Sequence, residues 1–216
     1  MNYLTYAFSA STWGILKLRK RKFDVVFVCQ LSPVTVALPA ILYQKIYKKP
    51  VVIWVLDLWP ETLEAIGVVK SPRILSWVGK LVSFIYNHCD LILGQSKAFF
   101  NGINKYCRDK SKIKYFPSWS EPIFITSVVE YRKEITQYKD CFKVLFAGNV
   151  GDAQDFTSIL NAAELLKQRN SQVKFFIVGD GRMFDWVKTQ VKERGLQKVV
   201  ILLGRYPLDS MPSFYA

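Results

Sequence analysis

The sequence predicts an α/β protein made of two parallel-sheet units. Three observations predict it. Short apolar runs recur along the chain without the polar alternation of a one-sided sheet, as strands buried on both faces require. Segments with helical apolar spacing separate those runs. Between Pro117 and Asp140 the texture changes, and prolines, serines and charges replace the apolar runs.

Residues 2–19 read as a helix with aromatic side chains at Tyr3, Tyr6, Phe8 and Trp13, ending in the basic cluster Lys17–Lys22. The first strand is Asp24–Cys29. A helix over Val34–Lys48 follows, opened by Ser32-Pro33, with Pro39 near its first turns. Lys49-Pro50 breaks the chain before the second strand, Val51–Leu56. A helix over Pro72–Asn87 leads to the third strand, Asp90–Gly94, and Ser96 caps a helix from Lys97 to about Tyr106. Ile113–Phe116 is a short fourth strand. The expected division is therefore 1–116 for the first unit, 117–140 for a linker and 141–216 for the second unit. In that second unit, strands Phe142–Gly148, Val173–Gly179 and Val199–Gly204 alternate with helices from about Asp155 to Gln168 and from Met183 to Arg194. Ligand chemistry is expected between the two units.

Composition narrows the function. The 216 residues are 50% hydrophobic, which provides enough apolar side chain for a core and excludes a disordered or disulfide-framed chain. The longest apolar run, Val34–Tyr43, is too short and too interrupted to span a bilayer, which needs about 20 residues. The start Met1-Asn2-Tyr3-Leu4 carries no basic side chain, and the positive charge follows the first apolar stretch, the reverse of signal-peptide order. Residues 1–120 hold 17 Lys+Arg and 6 Asp+Glu, a balance of +11, against +2 for residues 121–216. The first half is the part drawn to something negative, such as nucleic acid, anionic lipid or a phosphorylated substrate. No nucleic-acid motif accompanies the charge, so nucleic acid is not the expected partner. Cys29, Cys89, Cys107 and Cys141 form no C-x-x-C pair, and His88 is the only histidine, so neither a metal site nor a cofactor is expected.

The sharper motifs lie at strand ends. Gly148-Asn149-Val150-Gly151-Asp152 and Gly179-Asp180-Gly181-Arg182 each lead from a strand into a helix. Glycine there lets backbone approach a phosphate, and uncommitted N–H groups at a helix start supply donors. The same residues also make ordinary turns. A full G-x-G-x-x-G or G-x-x-x-x-G-K-[ST] is absent, which argues against nicotinamide and P-loop chemistry. In the first unit, Asp57 and Glu61 follow the second strand within Leu56-Asp57-Leu58-Trp59-Pro60-Glu61-Thr62. A carboxylate there either serves as a general base toward a hydroxyl or caps the following turn.

Two such units, with turns at Phe146–Asn149, Val178–Gly181 and Leu203–Arg205, resemble the GT-B glycosyltransferases of family 4. Asp57–Glu61 and Ala147–Gln154 are similar to one branch, the fucosamine-type transferases of bacterial capsule and O-antigen assembly. The likeness runs from about Tyr3 to Ala216 and implies two Rossmann-like units, both incomplete. It implies transfer of an amino- or deoxy-sugar from a UDP- or GDP-sugar to a lipid-linked saccharide, without metal, at the inner face of the cell membrane. By that resemblance Gly148, Asn149 and Gly151 lie against the donor pyrophosphate or sugar. Gly179, Asp180 and Gly181 flank the nucleotide, Gly204 and Arg205 border the base, and Asp57 and Glu61 face the acceptor.

The sequence departs from the family pattern in three places. Asn149 and Gln154 stand where an Arg and a Lys are usual, and Asp57-Leu58-Trp59 where many members have a His. The opening Gly-rich loop and the Glu-x7-Glu segment that holds the donor ribose would lie before Tyr3 and beyond Ala216, so a partial transferase is expected. The competing expectations are a catalytically inactive, membrane-associated remnant and a GT-B-like nucleotide-sugar 2-epimerase.

Overall fold

The structure is a computed structural model that describes residues 2–126, 132–169 and 171–215. The chain divides into two compact units, Met1–Trp119 and Ser120–Ala216.

In the first unit, α1 (Asn2–Ser9) runs through a π-helical turn (Ala10–Gly14) into α2 (Ile15–Leu18). This helix packs against a 3-10 turn (Val34–Ala37) and α3 (Leu38–Tyr47). Its small residue Ala7 is buried, whereas Tyr6, Phe8 and Trp13 are exposed, so the aromatics do not form the core face. The side chain of Tyr3 lies outside what is described. Pro39 falls in the first turn of α3, where its missing N–H leaves no helical bond unmade.

The strands are β1 (Val26–Gln30), β2 (Val51–Val55), β3 (Leu91–Gly94) and β4 (Ile113–Tyr115), all parallel in the order β1-β2-β3-β4. Helices α4 (Glu61–Ala65), α5 (Pro72–His88) and α6 (Phe99–Tyr106) make the crossovers. Register sets Val28, Ile53, Ile92 and Ile113 in one row, and with Ile41, Ile85 and Ile103 they form the core. On the opposite face, Trp54 stacks on Trp119 at 5.3 Å and donates its indole N–H to the Phe116 carbonyl at 3.0 Å.

The second unit begins with α7 (Ile123–Thr126) and α8 (Lys133–Thr136). Its strands β5 (Phe142–Ala147), β6 (Val173–Val178) and β7 (Val200–Gly204) are parallel in the order β5-β6-β7. Helices α9 (Phe156–Gln168) and α10 (Phe184–Glu193) cross over, and α11 (Pro212–Tyr215) follows a 3-10 turn at Leu208–Ser210. Phe156, Leu160, Val187 and Val191 pack on Phe175 and Ile177.

Most described residues of the segment read as a linker are exposed, and a few side chains tie it to the two units. Trp119 belongs to the first sheet through Trp54, and Tyr138 covers the buried Phe176 of the second, with ring centroids 5.5 Å apart. Glu134 of α8 accepts from the Tyr206 hydroxyl at 3.1 Å. Apolar and aromatic side chains scattered among polar residues do this, and no run of them announces it. Residues 127–131 of that segment lie outside the described residues.

Candidate active-site loops

The loops after β5, β6 and β7 are tied to one another by backbone hydrogen bonds. Gly148 donates to the Val178 carbonyl at 2.9 Å, Val150 to Asp180 at 2.9 Å, Gly179 to Gly204 at 2.8 Å and Met183 to Val150 at 3.0 Å. The glycines make this approach possible. A Cβ on Gly179, where φ is +143°, would sit 1.8 Å from the Gly148 carbonyl oxygen, and one on Gly181 would sit 2.4 Å from that of Val150. Gly148 differs: its nearest neighbour would be a ring atom of Phe146 at 3.9 Å, so the space beside it is open.

Several of the loop N–H groups are already engaged within the protein. Gly148, Val150 and Gly179 already bond to carbonyls. Gly151 donates to Gln154 Oε1 at 3.1 Å, and Gly181 to Asp180 Oδ1 at 2.7 Å. The start of α9 is likewise taken, because the Asp155 carboxylate accepts from the Ser158 N–H at 3.3 Å and its hydroxyl at 2.5 Å. An anion at that helix start would meet an existing negative charge. Gln154, at the position where a Lys is usual, therefore stiffens the loop. The groups left facing outward are Asn149 and Arg205, both exposed, with Arg182 paired to Asp152 across the two loops.

In the first unit, Asp57 and Glu61 both follow β2 but enter different surroundings. Asp57 Oδ2 accepts from Trp59 Nε1 at 3.0 Å, and Oδ1 accepts from the Thr62 hydroxyl at 2.5 Å. Two glutamines clamp the backbone at that turn. Gln30 Nε2 donates to the Asp57 carbonyl at 2.9 Å, and Gln95 Nε2 to the Leu56 carbonyl at 3.1 Å. Gln30 is fully buried, and its Oε1, like Thr35 Oγ1, has no partner. Neither glutamine stands out in the sequence; the one available signal is a polar residue closing each of two apolar strands.

Glu61 Oε1 accepts from Lys105 Nζ at 3.0 Å, while Oε2 is buried without a partner. That ion pair holds the Lys105 pKa above its ordinary value. Burial, reinforced by the Glu61 charge, pushes the Tyr86 and Tyr106 hydroxyls up. His88 lies at the end of α5, its Nδ1 2.7 Å from the Phe84 carbonyl, and takes no part in this arrangement. Among the described residues, no three His, Cys, Asp or Glu side chains are grouped to hold a metal ion.

Comparison with known proteins identifies the second unit more closely than the first. Residues 128–216 match the family described as Glycosyl transferases group 1. The probable glycosyltransferase WbjE of Pseudomonas aeruginosa is 28% identical over 162 residues, covering 72% of this chain and 40% of that protein. Anabaena Alr3699/HepE, solved in complex with UDP, has a TM-score of 0.64 at 14% identity, covering 98% of this chain and 53% of its own. An E. coli structure described as trehalose-6-phosphate bound with UDP-2-fluoro glucose gives 0.68 at 12% identity, covering 99% and 54%. The chain thus spans about half the length of these structures and less of WbjE. The α/β fold with two parallel sheets is that of GT-B glycosyltransferases. Over residues 128–216 the second unit is similar to the group 1 glycosyltransferases.

Proposed function

We propose that the protein serves transfer of an amino- or deoxy-sugar from a nucleotide sugar to a lipid-linked saccharide in bacterial surface polysaccharide synthesis. The observation that carries this reading is the interlocked pair of loops after β5 and β6, whose open side lies at Gly148. A donor's diphosphate or sugar would lie against Gly148 and Asn149, and Arg205 would border the base. Gly151, Gly179, Asp180, Gly181 and Gly204 would act by holding the loops in shape. HepE, solved with UDP and with UDP-glucose, supports a uridine nucleotide over a guanosine one.

On the acceptor side, Asp57 has both carboxylate oxygens engaged and would orient the turn, while Glu61, paired with Lys105, would face the acceptor. Among the described residues no helix is long and apolar enough to cross a membrane. The basic cluster Lys17–Lys22 would hold the protein peripherally at an anionic membrane surface, at the inner face where a lipid-linked acceptor resides. The test is ligand-observed NMR with UDP-glucose and a GDP-sugar on the intact chain. Binding is expected for the uridine sugar, weaker than micromolar because Arg205 is the one unpaired cation described at these loops, and reduced by Gly148→Ala. Unaltered spectra with both nucleotides would refute the reading.

A further inference from the structure

Between the first helix, β1 and α3, the first unit holds a groove of about 440 Å³, within the roughly 300–1,000 Å³ of small-molecule sites. Among the described residues no charged side chain lines it, and its polar side-chain groups are the hydroxyls of Tyr6 and Tyr43 and the thiol of Cys29. The groove exists because the inner side of the helix is built from small residues. Ala7 is buried, while Ala10 and Gly14 line the groove about one turn apart. A Cβ on Gly14 would meet only the Ala10 Cβ, at 3.9 Å, so the space beside it is open. Across the groove Phe27 and Cys29 of β1 stay exposed, and so does Phe23 at one end. Apolar side chains left exposed along a concave surface mark a binding site.

Charge marks the end of the groove at Phe23. Leu18 and Phe23 both line it, and the residues between them are Arg19-Lys20-Arg21-Lys22. This stretch is turned by a hydrogen bond from the Arg21 N–H to the Leu18 carbonyl at 2.8 Å. With Lys17 it makes five cations, and no Asp or Glu occurs before Asp24. Among the described residues none of the five is in an ion pair. An apolar groove that ends at unpaired cations suits a ligand with one hydrocarbon chain and an anionic head. A neutral apolar ligand would leave the cations unused, and a free phosphate would leave the groove unfilled.

We propose that this groove binds a single-chain lipid anion, with its hydrocarbon chain between the first helix and β1 and its head at Arg19–Lys22. The site is independent of the transfer reaction proposed above, and it shares only the basic cluster with the membrane contact.

Titration calorimetry on the intact chain tests this with dodecyl phosphate below its micellar concentration, and with laurate, dodecanol and inorganic phosphate as separate ligands. Both lipid anions should bind, dodecanol more weakly, and inorganic phosphate not measurably. Decyl phosphate, shorter by two methylenes, should bind about ten-fold more weakly than dodecyl phosphate. The bound chain should slow the reaction of Cys29 with Ellman's reagent, because that thiol lines the groove. Gly14→Leu fills the groove from a helical backbone position with open space, so it should keep the melting transition and weaken binding by about ten-fold or more. Lys20→Glu combined with Arg21→Glu should weaken dodecyl phosphate about five-fold at low salt and leave dodecanol unchanged. No binding of either lipid anion, equal affinity for the two chain lengths, an unprotected Cys29, or binding unchanged in Gly14→Leu would overturn the proposal. Adsorption to vesicles without capture of monomeric dodecyl phosphate would overturn it in favour of a membrane face. A dimer in sedimentation that Gly14→Leu abolishes would overturn it in favour of a second copy on the β1 edge.

Discussion

Gly179→Ala separates a glycine kept for packing from one kept for a ligand. The added Cβ would lie 1.8 Å from the Gly148 carbonyl oxygen, against ordinary contact beginning near 3.4 Å. The obstacle is backbone, and its loop is held by the Gly148–Val178 and Val150–Asp180 hydrogen bonds. The left-handed conformation at φ +143° costs alanine about 1–3 kcal/mol. Overpacking adds about 1–3 kcal/mol, and each backbone bond broken in relieving it about 0.5–1.5. The total, roughly 3–6 kcal/mol, is a large share of the 5–15 that stabilises a typical domain. At about 4–8 °C per kcal/mol, the melting transition of the second unit should fall by about 12 °C or more, or disappear. Gly148→Ala is the control, because its Cβ meets nothing closer than 3.9 Å. It should incur only the backbone cost and yet impair UDP-glucose binding. Circular dichroism melts and ligand titration on both variants provide the test. A Gly179→Ala protein that melts within about 5 °C of the unaltered chain would refute the packing argument.

Other outcomes follow from the first unit. Gln30→Ala should destabilise by about 2–4 kcal/mol, since it opens a buried cavity and strips the Asp57 carbonyl of its donor. Gln30→Leu should cost less in the same denaturant titration, because it keeps the volume and removes an unpartnered buried oxygen. Ellman's reagent should label the exposed Cys29 in the folded protein, and the buried Cys89 and Cys107 only after unfolding. Burial pushes the Cys89 thiol up to about 12. An acid whose folded pKa is raised stabilises fully below its unfolded value, ~8.5, and loses that stabilisation as pH climbs toward the folded one. Urea midpoints should therefore fall between pH 8 and pH 11, and less so in Cys89→Ala. Charge reversal within Lys17–Lys22 should reduce flotation with anionic vesicles at low salt; equal flotation would remove the membrane role of that cluster.

All seven strands were legible as apolar runs, because a parallel strand between two layers must be apolar on both faces. Most helices between them were legible from spacing to within two residues, but the one expected from Val34 opens as a 3-10 turn and becomes α-helical only at Leu38, and the short α4 was not foreseen. Ser96 does not cap the helix as expected: it accepts from the Ala98 N–H at 3.2 Å in a turn, and α6 starts two residues later than expected, at Phe99 with Ala98 as its N-cap. The linker was less legible, since Trp119 and Tyr138 are single aromatics whose partners, Trp54 and Phe176, lie far away in sequence. Spacing did not say which side of the first helix is buried: Tyr6, Phe8 and Trp13 are exposed, and the small residue Ala7 is buried.

The candidate site divides along the same line. By itself the sequence determined which residues stand at strand ends: Asp57, Glu61 and the glycines at 148, 151, 179, 181 and 204. Local periodicity and chain direction suffice for that. Only the tertiary structure decided what each of them does there. Gly179 makes room for a carbonyl 31 positions earlier, the N–H groups of Gly148, Val150 and Gly179 bond within the protein, and Gln30 holds Asp57 from another strand. Glu61 turns to Lys105 on α6 and away from Asp57. The physical reason is range. Strand and helix follow from the pattern of neighbouring side chains, whereas a hydrogen bond or a close approach depends on an atom that chain topology brings from elsewhere.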